Sequence, residues 1–221
     1  MARTKSGTGK TRLVKQLWDL GVFQFGNFNV GRTQNSPVYV NLRLLVSSPA
    51  SLQHVARVIK EESETRLTML HQRMDPFSRC AGVPFGGLHL ATAFSLAAKV
   101  PMIYLHPVKD GSGNIIEGTY VPGQTVLVID DLVTGGTSII ETAAQLRDAG
   151  LTVRDAIVLV DRMQGAKERL RQHGIRLIPI LELEMLLNWG MANGKIADEG
   201  VYRASVDYLR RAAADAREQL P

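Results

Sequence analysis

The apolar positions along the chain fall into two rhythms. Near the N-terminus Leu13, Val14, Leu17 and Trp18 recur on one helical face and Gly21 follows as a stop, which predicts an amphipathic helix over residues 11–20. Val38-Tyr39-Val40-Asn41-Leu42, rich in β-formers and preceded by Pro37, predicts a strand. Ser51 is placed to cap a helix whose inner face is Leu52, Val55, Val58 and Ile59, with Lys60, Glu61, Glu62 and Glu64 leading to solvent. From about residue 79 short apolar runs alternate with helical patterns. A run towards Val83 precedes a helix over Leu88–Ala98; Met102–Leu105 and, after a polar loop, Val126–Ile129 follow as strands. A helix over 138–149 ends at Gly150; then come the strand Ala156–Val160, a helix over 165–173 and the strand Leu177–Ile180. Such alternation predicts an α/β fold, a central and mainly parallel sheet flanked by helices, with ligands at the carboxyl ends of its strands. Residues 197–217 read as a charged terminal helix suited to packing or dimer support.

Composition narrows the setting. With 221 residues, 45% hydrophobic and 21% charged, the chain is long enough to bury a core without covalent staples. Cys80 is the single cysteine, so no internal disulfide framework is possible, as expected of a reducing, cytoplasmic compartment. No apolar run approaches the roughly 18 residues of a membrane span, and none follows the N-terminal positive charges as in a signal peptide. The net charge of +5 is spread over Lys and Arg interleaved with acids, as at Lys60-Glu61-Glu62. There is no basic stripe, which argues against a nucleic-acid partner and leaves a small, phosphorylated ligand as the natural anion.

The chemistry concentrates in Val126-Leu127-Val128-Ile129-Asp130-Asp131-Leu132-Val133-Thr134-Gly135-Gly136-Thr137-Ser138. A buried strand ends in two carboxylates, and a loop of hydroxyls and glycines then opens a helix. Gly135 and Gly136 let backbone N–H groups approach a phosphate, Thr134, Thr137 and Ser138 add hydroxyl donors, and the helix N-terminus adds partial positive charge. Asp130 and Asp131 would repel that phosphate and must face something else; ribose hydroxyls donating to them are the natural partner. Ser138 and Glu141 also have the spacing of a capping box, but a cap explains one hydroxyl and one acid, not the whole cluster. A second glycine loop, Gly82-Val83-Pro84-Phe85-Gly86-Gly87, lies at a strand end before an apolar helix, where it can wrap another anion.

Residues 126–138 resemble the phosphoribosyl-diphosphate motif of type I phosphoribosyltransferases. The resemblance implies that Asp130 and Asp131 hold the ribose hydroxyls, Thr134–Ser138 the 5′-phosphate, and Pro84, Phe85, Gly86 and Gly87 the pyrophosphate. Within that family the chain is most similar to orotate phosphoribosyltransferases, including the orotate domain of UMP synthases. The similarity lies in Gly82–Ala91, in Phe23-Gln24-Phe25-Gly26-Asn27-Phe28 with Ser36-Pro37-Val38-Tyr39, and in Leu159–Gly165. It implies an N-terminal helix and hood over 1–45, a phosphoribosyltransferase core over 46–221, and base contacts from Arg162, Phe25 and Arg32. A guanidinium at Arg162 would grip the carboxylate of orotate. The expected reaction joins orotate to 5-phosphoribosyl diphosphate with Mg²⁺ in pyrimidine biosynthesis. Lys109, Asp130 and Asp131 act as catalytic residues in that reading, and the enzyme is a homodimer in which loop 105–118 reaches the neighbouring subunit.

The chain departs from the family in two places. The family's mobile loop reads Arg-Lys-x-x-Lys-Asp-His-Gly, whereas here Leu105 and His106 stand for the Arg-Lys pair, Lys109 and Asp110 are kept, and Gly111 replaces the histidine. In the hood, Gly31-Arg32-Thr33 stands where the family has Lys-Ser-Gly. Two alternatives follow: a phosphoribosyltransferase for another nucleobase, or a regulator that binds phosphoribosyl diphosphate without reacting it. Ser6-Gly7-Thr8-Gly9-Lys10-Thr11 ends like a P-loop, but Thr4 occupies the position of the first glycine and no strand precedes it. A tail running into the first helix accounts for it.

Overall fold

The computed structural model describes residues 6–30, 33–71, 73–107 and 114–218. The chain starts with α1 (Ser6–Asp19), an antiparallel hairpin of β1 (Phe23–Val30) and β2 (Thr33–Val40), a 3-10 turn over Leu42–Ser47, and α2 (Pro49–Thr68). There follow β3 (Arg79–Gly82), α3 (Gly86–Ala98), β4 (Met102–Pro107), β5 (Asn114–Glu117), β6 (Thr125–Val133), α4 (Thr137–Asp148) and β7 (Thr152–Asp161). The chain then closes with α5 (Ala166–Gln172), β8 (Arg176–Glu182), α6 (Leu183–Ala192) and α7 (Glu199–Glu218).

The main sheet has six strands in the order β5-β4-β3-β6-β7-β8. All neighbours are parallel except β5, which returns antiparallel along β4. β6 is apolar on both faces because helices cover both. Leu127 and Ile129 enter one core with Val55, Ile59, Leu90 and Phe94; Val126 and Val128 enter the other with Ile139, Ala143 and Leu146. From β3 the chain crosses by α3 to β4 on one side, and from β6 it crosses by α4 to β7 on the other. The crevice between β3 and β6 is therefore the topological switch point, where open α/β sheets take their ligands.

The hood is tied to this body by side chains. Trp18 lies 4.2 Å from the ring of Phe23, and its Nε1 donates to the carbonyl of Leu186 at 3.2 Å. A Cβ on Gly190 of α6 would fall 2.1 Å from the same indole, so only glycine fits beneath it.

Several expectations need correction. The first helix begins at Ser6, so the P-loop-like segment is a helical turn, and Lys10 pairs with Glu62 at 3.1 Å. Glu62 is thereby half-buried between Lys10 and Arg66 rather than solvent-facing. Ser48, not Ser51, caps α2; its hydroxyl accepts from the Ser51 N–H. Gly86 and Gly87 belong to the first turn of α3. The polar loop after Leu105 is in part a hairpin, since Leu105 pairs with Ile116 and His106 with Ile115. α6 was not anticipated because Leu183 follows Glu182 of β8 with no turn residue to separate strand from helix. Among the described residues, no helix is long and apolar enough to cross a membrane.

Candidate active site

The two glycine loops meet at the switch point, and packing forces their small residues. β3 and β6 run in register from Arg79–Val126 to Gly82–Ile129, so the loops that follow emerge side by side. A Cβ on Gly87 would sit 2.4 Å from the carbonyl oxygen of Ile129, and one on Gly86 would sit 2.3 Å from the carboxylate of Asp131. The first turn of α3 thus lies directly against the paired aspartates. Pro84 and Phe85 precede it, joined by a cis peptide bond, and Phe85 is exposed.

Asp130 is buried at the end of β6 and accepts from the Asp131 N–H at 2.8 Å; Asp131 in turn accepts from the Leu132 N–H at 2.9 Å. Burial, and then the neighbouring charge of Asp131, push the Asp130 carboxyl well above its ordinary range. Two carboxylates held this close have a use if hydroxyl donors arrive between them.

Beyond them Thr134, Gly135 and Gly136 turn into α4. The N-cap is Gly136, at φ 80°, and it makes no side-chain cap hydrogen bond; Ser138 is exposed. The capping-box account of Ser138 and Glu141 is therefore not realised. α3 also starts without a side-chain cap, and neither helix has an acid in its first turn. The N-terminus of α4 turns its first-turn amides and dipole charge towards outside anions, whereas at α3 the Gly87 and Leu88 N–H groups donate to the carbonyls of Val83 and Phe85, leaving that helix chiefly its dipole charge.

Arg162 completes the rim from the end of β7. Its N–H bonds to the carbonyl of Val133 at 3.0 Å, which fixes it beside the start of the Thr134–Gly136 turn. The side chain is 4% exposed, so it is no surface arginine. Nη2 donates to the Ser36 hydroxyl of β2 at 3.0 Å and Nε to Gln164 at 3.3 Å. Burial lowers its pKa, which the Tyr208 phenol partly offsets, and no carboxylate among the described residues pairs with it. Tyr208 of α7 also donates to the carbonyl of Gln34 at 3.1 Å, so the terminal helix clasps the hood over this rim.

A buried guanidinium with no carboxylate partner among the described residues, two helix N-termini without side-chain caps and a carboxylate pair thus frame one crevice. Residues 45–173 match the family described as the phosphoribosyl transferase domain. Over 185 residues the chain is 36% identical to the orotate phosphoribosyltransferase of Chlamydia pneumoniae, covering 82% of this chain and 84% of that protein. The chain belongs to the orotate phosphoribosyltransferase family. It is also 37% identical over 213 residues to the uridine 5′-monophosphate synthase of Bos taurus; the match takes in 95% of this chain but spans only 43% of that relative. The solved orotate phosphoribosyltransferase of Aeropyrum pernix superposes with a TM-score of 0.68 at 32% identity, over 80% of this chain and 97% of that one.

As a member of this family the chain brings Asp130, Asp131, Thr134–Ser138, Gly86, Gly87 and Arg162 to one crevice. Phe25, the third expected base contact, lies in the hood at 6.3 Å from Trp18 with the rings 19° from parallel. Lys109 and Arg32 lie outside the described residues. At the expected Arg-Lys pair, Leu105 is 3% exposed and packs into the core with Ile103, while His106 is exposed. Strand alternation explains the split, since successive side chains of β4 face opposite ways.

Three contributors were missed by the sequence reading. Ser36 was quoted only as part of a motif. His89, three residues beyond Gly86 and so on the same helical face, has a buried Nε2 without a hydrogen-bond partner; burial lowers its pKa, which the charge of Asp131 partly offsets. Arg169 reaches the 134–137 turn from α5. Only its helical spacing from Gly86 pointed to His89, and nothing local pointed to Arg169.

Proposed function

We propose that this chain transfers the 5-phosphoribosyl group of phosphoribosyl diphosphate to orotate, giving orotidine 5′-monophosphate and pyrophosphate. The observation that carries the proposal is Arg162. It offers a buried guanidinium with no carboxylate of its own, and orotate is a nucleobase that brings one.

The roles follow from position. Asp130 and Asp131 accept from the ribose 2′- and 3′-hydroxyls. Thr134–Ser138 and the N-terminus of α4 take the 5′-phosphate, while Pro84–Gly87 and the N-terminus of α3 take the diphosphate. The bond from the anomeric carbon to the diphosphate oxygen breaks, and pyrophosphate leaves with the electron pair. A ring nitrogen of orotate then supplies the pair that forms the new bond to that carbon, and the proton it carried is lost to the departing pyrophosphate. The carboxylates beside the ribose stabilise the cationic ring in between, and Lys109 offsets the charge growing on the leaving group.

The described residues contain no cluster of three or more acids, histidines or cysteines able to cage a metal. Mg²⁺ would bind mainly through substrate phosphates, with Asp130 and Asp131 supporting it through the ribose hydroxyls they hold. When bound it would supply further positive charge at the diphosphate. The same reading makes the protein a cytoplasmic homodimer, with loop 105–118 of each subunit closing over its neighbour's crevice.

Protein, Mg²⁺, phosphoribosyl diphosphate and a panel of orotate, uracil, hypoxanthine and adenine test the proposal. Orotate alone should be consumed, with pyrophosphate released in step. Absence of orotate turnover at high enzyme concentration would overturn it. Buried Leu105 favours one second reading, a binder that holds phosphoribosyl diphosphate but lacks the cations to expel pyrophosphate. Calorimetric binding of phosphoribosyl diphosphate with no pyrophosphate release would identify that case.

A further inference from the structure

The turn between β6 and α4 is assigned to a phosphate, yet residues 130–138 contain two aspartates and no cation. A positive charge reaches the turn from another element. Arg169 of α5 places Nη1 3.1 Å from the Thr137 hydroxyl and 3.5 Å from the carbonyl oxygen of Gly135. A Cβ on Gly135 would lie 3.7 Å from the same Nη1, so the guanidinium rests on the glycine. The next residue, Leu170, backs the turn as well, since a Cβ on Gly136 would lie 3.1 Å from its Cγ. α5 is thus fixed against the turn by two successive side chains, and Arg169 cannot swing freely to another partner.

Its charge is also uncommitted. The neighbouring acid, Glu168, is held by Arg171 through two hydrogen bonds of 2.8 and 2.6 Å. Among the described residues Arg169 forms no ion pair, and only Nη1 of its donor fork is engaged. A guanidinium has five N–H donors in a planar fork suited to phosphate oxygens. A half-buried arginine spending one nitrogen on a hydroxyl and a long carbonyl contact is poorly accounted for as a brace alone.

We infer that Arg169 is the cation of the ribose 5′-phosphate subsite, selecting 5′-phosphorylated ribose and holding the phosphate against the Thr134–Ser138 turn. The inference rests on the phosphoribosyl reading given above and adds to it a residue from outside the motif. Hydrogen bonds to charged groups imply a roughly ten- to hundredfold contribution to affinity.

Arg169→Gln, which keeps a donor for Thr137 but removes the charge, and Arg169→Lys, which keeps the charge, test it by calorimetry. The probes are ribose 5-phosphate, which needs the turn, and inorganic pyrophosphate, which needs the other loop. Arg169→Gln should weaken ribose 5-phosphate roughly ten- to hundredfold, with pyrophosphate affinity held within about twofold. Arg169→Lys should recover most of the loss. The gap between wild type and Arg169→Gln should also narrow as pH falls through the second phosphate ionisation near ~6, a charge effect that a brace would not give. Unchanged ribose 5-phosphate binding in Arg169→Gln would overturn the role of Arg169, as would equal losses for both probes or a lysine variant no better than glutamine. If the wild-type protein itself fails to bind ribose 5-phosphate, the phosphoribosyl reading falls instead.

Discussion

The crevice between β3 and β6 and the hairpin of β4 and β5 are built on opposite principles. The crevice is assembled from backbone: two uncapped helix N-termini, two glycines that admit no Cβ, and carboxylates seated on a buried strand. The hairpin sits at the sheet edge, with Leu105 turned into the core and His106 outward. Under the proposed function its chemistry would depend on side-chain charge, and Leu105 brings none. On the proposed reading, holding phosphoribosyl diphosphate and expelling pyrophosphate from it are separable properties, assigned to different parts of one sheet.

The largest effect should come from the hairpin loop. Lys109→Ala removes the lysine that the proposed reading assigns to the leaving group. Loss of a group that stabilises transition-state charge costs about 10²–10³ in kcat. Calorimetric affinity for phosphoribosyl diphosphate should stay within a few-fold of wild type. Equal losses in binding and turnover would mean that the two regions are not separable.

The converse change is Gly86→Ala. The added Cβ would meet the Asp131 carboxylate at 2.3 Å, so either the first turn of α3 or the aspartate must shift. A loss of roughly 1.4–2.8 kcal/mol in binding corresponds to ten- to hundredfold weaker phosphoribosyl diphosphate. The affinity should be read by calorimetry, with circular dichroism to verify the fold. Unaltered affinity would show that the crevice is softer than its packing implies.

This division also explains what the sequence made legible. The crevice was visible because its chemistry is local: Asp130 to Ser138 are contiguous, and the β6–α4 alternation places them at a strand end. Arg169 and the Ser36–Arg162 bond were not visible, because they join residues 32 and 126 positions apart and no local period records such pairing. α6 was missed for a different reason, since apolar residues run from β8 into it without a turn. The placement of Leu105 could have been read from the alternation Ile103-Tyr104-Leu105-His106, since Leu105 closes the expected strand Met102–Leu105, but that strand was not carried on through His106.

A smaller effect separates binding from stability within the crevice. Asp130 is buried beside Asp131, which raises its pKa above the ordinary value of 3.8. The folded state then holds the proton more tightly than the unfolded chain does. The contribution of this group is fully present below about pH 3.8 and is lost as pH rises through the raised value. Asp130→Asn should therefore melt above wild type near pH 8, with an advantage that fades towards pH ~4; roughly 2–4 °C is expected for each kcal/mol at this chain length. Phosphoribosyl diphosphate binding should fall at the same time, since the amide offers one neutral acceptor oxygen where the carboxylate offers two charged ones. A variant less stable than wild type at pH 8 would mean that the carboxylate is satisfied within the fold and serves stability before ligand.

The finest test asks whether the hairpin's shortage of charge limits turnover. His106 is exposed on β4, opposite Ile115, so a lysine there can be carried without disturbing the core. Leu105→Arg is not equivalent, because position 105 is 3% exposed and a buried, unpaired guanidinium would destabilise the sheet edge. His106→Lys should raise kcat by roughly threefold, the ~0.65 kcal/mol that a partly screened surface charge can supply, with the KM for orotate unchanged. The gain should shrink on adding salt, because the new charge lies in solvent. A salt-insensitive gain would point to altered hairpin packing, and no gain would place the rate limit at a step other than departure of pyrophosphate. If the gain appears at low salt alone, the hairpin differs from the crevice in the way proposed: its contribution comes from charge, and charge can be restored one residue at a time.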